Sequence, residues 1–117
     1  MKFKFHLFAF IPFLALISCL PLSDESRILE LTDLSKMSVS SLSVDLKEGQ
    51  NVYKISLKIE GETDGSFEIN TFKFQRGKVD TVINSMDWYQ QDYPITFKPI
   101  SCSEGNLKVK VTFFIQE

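Results

Sequence analysis

Histidine is almost missing from this chain: His6 is the only one, and it sits within an apolar leader. A domain without that leader has no imidazole, which excludes His-dependent acid–base and nucleophilic catalysis and most zinc sites. Cysteine is nearly as scarce. Cys19 and Cys102 are the whole supply, enough for one disulfide at most and for none if Cys19 is modified. No run of lysine or arginine is dense enough to point to nucleic acid. The longest apolar stretch is too short, and too interrupted by Pro12, for a transmembrane helix of about 20 residues.

What is present begins with Lys2 and Lys4, followed by a continuous apolar run from Leu7 to Ile17. A cationic head before a short apolar body is the layout of a secretory signal peptide. It ends in Leu16-Ile17-Ser18-Cys19. Ordinary secretion calls for a small-x-small site, and these residues fit that poorly. The four residues resemble the lipobox of bacterial lipoproteins: an apolar residue, a tolerant position, a small residue and cysteine. The resemblance implies cleavage before Cys19, acylation of Cys19 by palmitate-type chains, and attachment to an envelope membrane, the outer rather than the inner.

On that reading residues 1–18 are signal peptide, 19–36 a lipidated N-terminus and tether, and 37–117 the folded domain. Loss of Lys2 and Lys4 leaves 11 basic against 15 acidic residues, a net charge of about −4. Membrane attachment would then depend on the acyl chains. The size suits one domain that folds without metal or disulfide.

Beyond the leader the hydrophobic period is mostly two. Arg27–Lys36 is undecided: Ile28, Leu31 and Leu34 share a helical face, yet Leu29 and Leu31 alternate, and a strand is preferred. A serine-rich edge strand is expected from Met37. Tyr53, Ile55, Leu57 and Ile59 form one face of the next strand, and Asp64-Gly65 reads as a hairpin turn. Phe67 and Ile69 against Phe72 and Phe74 imply a bulge near Asn70-Thr71, or burial on both sides. Val79–Ile83 and Ile95–Lys98 follow as short strands. Leu107, Val109, Val111, Phe113 and Ile115 define the last one. Short strands with frequent turn signals predict an all-β fold, a small antiparallel β-sandwich (immunoglobulin-like or related) of six to eight strands.

One cluster has the composition of a ligand site: Asp87, Trp88, Tyr89 and Tyr93. Aromatic rings stack on the apolar faces of sugars while a carboxylate accepts hydroxyl bonds. The competing and preferred assignment makes Trp88 a core plug. Asp80, Asp87, Asp92 and Glu104 have no spacing that pairs them for glycoside cleavage, so no catalytic residue, cofactor or metal is expected. Lys54, Lys58, Lys108 and Lys110 fall on outward faces and would form a cationic patch if their strands pair. Phe114, Phe72 and Phe74 could form a second apolar patch. The expected function is that of a lipid-anchored, non-catalytic envelope module with a protein partner, or alternatively a glycan-binding surface lipoprotein.

Overall fold

The computed structural model describes residues 22–117; the signal segment, its lipobox and Cys19 lie outside the described residues. Eight strands and no helix are found among them. They are β1 (Leu22–Leu31), β2 (Ser38–Ser43), β3 (Asn51–Thr63), β4 (Phe67–Ile69), β5 (Phe72–Phe74), β6 (Gly77–Asp87), β7 (Asp92–Pro99) and β8 (Gly105–Gln116). Sheet A has the order β1-β8-β3-β6 and sheet B the order β2-β7-β4-β5. All pairings are antiparallel. The chain therefore forms the small antiparallel β-sandwich that its alternation predicts.

The centre of sheet A follows the sequence pattern closely. Leu107, Val109, Val111, Phe113 and Ile115 on β8 are buried, as are Val52, Ile55, Leu57 and Ile59 on β3. Phe67, Ile69, Tyr93, Ile95 and Phe97 meet them from sheet B. Each fully buried side chain of this size stabilises the fold by about 1.5–3 kcal/mol.

Four details differ from the alternation read along the chain. Residues 22–31, expected as tether up to Ser26 and by preference as a strand from Arg27, pair with β8 along ten consecutive positions, so residues assigned to the tether belong to the sandwich. Pairing there satisfies backbone groups that β8 would otherwise leave open on that side. Tyr53 is not inward with Ile55. The register jumps from Val52↔Ile115 to Lys54↔Phe114, so Tyr53 is the extra residue of a bulge and Val52 takes the core position.

Asp64-Gly65 does not join paired strands, because β3 lies in sheet A and β4 in sheet B. The hairpin turn is Asn70-Thr71 instead. These residues have φ values of 50° and 75°, and Ile69 pairs with Phe72 and Phe67 with Phe74. A two-residue turn restores the face across the hairpin, so all four apolar side chains point to the core without a bulge. Finally, β6 runs on past Ile83 to Asp87. Its register jumps between Leu57↔Ile83 and Ile55↔Met86, with Ser85 at φ 59°.

Glycine has a specific task where β3 meets β8 near the end of the sheet. A β-carbon on Gly61 would collide with the Asn106 carbonyl oxygen, and one on Gly105 with that of Glu62. Their φ values of 148° and 136° add strain for any other residue.

Candidate functional site

Trp88 leaves the end of β6 and Tyr93 enters β7, so the two rings meet where the chain crosses between sheets. Their centroids are 4.9 Å apart at 79°, an edge-to-face contact. The Trp88 indole donates to the Asp92 carbonyl at 2.9 Å. Tyr93 is buried, and its hydroxyl accepts from the Asn70 amide at 3.0 Å. Trp88 is half-buried and packs on the core. Tyr93 belongs to the core, and Trp88 covers it from the boundary with solvent and does not plug it. Tyr89 is 72% exposed and Asp87 is exposed, so only these two of the four candidates stand open to solvent.

Asn70 organises this crossing; the switch of apolar face between Ile69 and Phe72 marks its place in the chain but not its hydrogen bonds. Its amide nitrogen also donates to the Pro94 carbonyl at 2.9 Å, and its side-chain oxygen accepts from the Thr96 N–H at 2.7 Å. Past Ile69 the Asn70 N–H still donates to the Thr96 carbonyl at 3.1 Å, so backbone and side chain of Asn70 together hold Thr96 of β7. A concavity of about 280 Å³ opens beside it, lined by Glu68, Asn70, Thr71, Thr96 and Lys98.

The opposite end of the sandwich is closed by Asp64. Its carboxylate accepts from the Ser103 N–H at 2.8 Å, the Ser103 hydroxyl at 2.9 Å and the Glu104 N–H at 3.0 Å. The Glu104 and Ser103 amides and the Ser103 hydroxyl together lower its pKa to about 2. Cys102, a free thiol, is buried beside it; burial first, then the Asp64 charge, pushes that thiol up and away from the thiolate form. Among the described residues, no group of His, Cys, Asp and Glu is placed to hold a metal ion. Asp92 opens β7 while Glu104 lies past its other end, and Asp80 faces outward on β6, so the carboxylates are not assembled.

The outward lysines do come together, because β3 and β8 pair. Lys58 stands directly opposite Lys110. The same row continues to Ile28 on β1 and Val82 on β6, exposed at 53% and 54%. One row away, Lys108 lies between Glu30 and Glu60. On the other side Lys54 reaches over the Phe114 ring at 4.9 Å, and Tyr53 tilts against Phe114 at 6.4 Å. Phe114 is thus separate from Phe72 and Phe74, which pack on the core from sheet B.

No family model and no curated protein matches this sequence. Among solved structures, a chain of the Bacillus endospore appendages, described as disulfide-linked pili, is 8% identical with a TM-score of 0.37, covering 80% of this chain and 88% of that one. The cyanophage Pam1 capsid asymmetric unit gives 9% identity and 0.37, covering 80% and 84%. The crystal structure of FLHE gives 8% and 0.38, covering 83% and 97%. Likenesses this distant say nothing of what the chain binds.

Proposed function

We propose that this chain is a lipid-anchored, non-catalytic interaction module of a bacterial envelope, held in the outer rather than the inner membrane by acyl chains on Cys19. The observation that carries the reading is Leu16-Ile17-Ser18-Cys19, closing an apolar leader just ahead of a β-sandwich. Leu22 of β1 follows Cys19 by three residues, so at most about 10 Å of chain separates the two. The end of the sandwich where β1 starts would sit close to the headgroups, and the outer face of sheet A would stay accessible. Intact-mass analysis of membrane-extracted protein is expected to show a chain beginning at Cys19 with a lipid-sized increment. Cys19→Ala should release the protein or stall it as precursor; a soluble, unmodified product beginning elsewhere overturns the proposal.

The second reading is glycan binding at Asp87, Trp88, Tyr89 and Tyr93. The exposure of Tyr89 beside Asp87 favours it. Burial of Tyr93 and the edge-on contact of Trp88 leave Tyr89 as its stacking ring.

A further inference from the structure

We infer that the outer face of sheet A, centred on Lys58 and Lys110, docks an acidic protein segment with apolar flanks. The inference rests on the interaction-module reading and names its surface. Like charges directly opposite on neighbouring strands destabilise a sheet, and here two lysines take that arrangement at its centre. Among the described residues, Lys110 makes no ion pair, and Lys58 makes one exposed contact with Glu60 at 3.9 Å. Such a contact returns little. The repulsion is therefore left standing in the free protein, and carboxylates from a partner would relieve it.

The row reads Ile28, Lys110, Lys58, Val82 across four strands, about 14 Å at the usual strand spacing. An apolar residue thus closes each end of the cationic pair. Beside it, Ser26 and Thr112 present hydroxyls 2.9 Å apart. Acidic groups flank the pair: Asp24 and Glu30 on β1, Asp80 and Asp87 on β6 beside a single Lys78, and, further along β3, Glu60 and Glu62. A face that is positive at its centre and negative at its rim repels an anionic lipid surface along both edges. An anionic glycan would neutralise the lysines but leave Ile28 and Val82 wet. A second copy meeting face to face would set lysines on lysines. A protein segment offering carboxylates between apolar side chains satisfies both features.

The test uses the full-length chain in neutral detergent and a fluorescein-labelled leucine–glutamate repeat peptide, read by anisotropy. Its leucine–glutamine counterpart, polygalacturonate and phosphatidylglycerol vesicles are the competing probes. The glutamate peptide should bind, and K58E/K110E should weaken it at least about tenfold. Ile28→Ser with Val82→Ser should weaken it several-fold, while K36E/K47E, equal in charge change but off the face, should leave it unaltered. Lys110→Glu alone should raise the thermal midpoint by about 1–4 °C while losing the peptide, which a purely structural lysine would not do. Absence of peptide binding, an equal loss in K36E/K47E, or a face-dependent preference for the glycan or the vesicles overturns the inference. Cys19→Ala protein should bind the peptide as the unaltered chain does, so a failure of anchoring and a failure of this surface read out separately.

Discussion

Sheet A and sheet B share one core but are held in different ways. The strands of sheet A are 10, 12, 13 and 11 residues long, in the order β1, β8, β3, β6. Those of sheet B are 6, 8, 3 and 3, in the order β2, β7, β4, β5. Long strands supply their own hydrogen-bond ladders, and register follows from alternation. Short ones cannot, and side chains complete them here: Asn70 beside β7, the Trp88 indole on Asp92, and Ser101 on Ser66 at 3.0 Å. A small sandwich can therefore combine a backbone-ordered sheet with one that depends on a few polar side-chain clips.

The largest effect should come from the centre of sheet A. Val111 is fully buried, and Val111→Asp places an unpaired carboxylate in the core at a cost of several kcal/mol, against a total stability of about 5–15 kcal/mol. Circular dichroism and denaturant melts should show an unfolded chain; a normal midpoint would mean that sheet A does not carry the fold. Next is Asn70→Ala, which removes three side-chain hydrogen bonds and leaves an alanine at φ 50°. It should cost about 2–3 kcal/mol. Hydrogen exchange should quicken in β4, β5 and β7 before β3 and β8. Uniform acceleration would remove the distinction between the sheets.

The same contrast explains what was legible in the sequence. Alternation exposed β8 and most of β3, because burial of one face imposes a period of two on long strands. The all-β sandwich followed. Tyr53 escaped because a bulge changes phase without any change in composition. Residues 22–26 escaped, and the strand from Arg27 was only preferred over a helix, because an edge strand with mostly exposed side chains has a weak pattern; backbone pairing to β8 defines it. Asp64-Gly65 carries a hairpin dipeptide, but the carboxylate is spent on Ser103 and Glu104, contacts 39 and 40 residues away in sequence. Of the aromatic cluster, composition brought Trp88 and Tyr93 into view and said nothing about which ring faces solvent.

Asp64 gives a smaller, pH-dependent effect. Its folded pKa, about 2, lies below the ordinary 3.8 because it accepts hydrogen bonds from Glu104 and Ser103. A carboxyl with a depressed folded value contributes stability that is fully present above the ordinary pKa and lost as pH falls through the folded one. The thermal midpoint should therefore decline between about pH 4 and pH 2. Asp64→Asn should flatten that part of the profile. An unchanged slope in Asp64→Asn would show that the acid sensitivity arises elsewhere.

Trp88 and Tyr89 are adjacent, and they should differ most finely. Trp88→Phe keeps a ring against Tyr93 but loses the indole bond to Asp92, a change of about 1 kcal/mol. Tyr89 is 72% exposed with its ring in solvent, so Tyr89→Ala should stay within about 0.5 kcal/mol. Acrylamide should quench Trp88 only partially, since the indole is half-buried, and polysaccharide should leave its emission where it was. A fully quenchable indole whose emission shifts with added glycan would place Trp88 in a binding surface and loosen the link it makes between β6 and β7. Equal destabilisation by the two substitutions would mean that the loop, and not the indole, joins the sheets at this end.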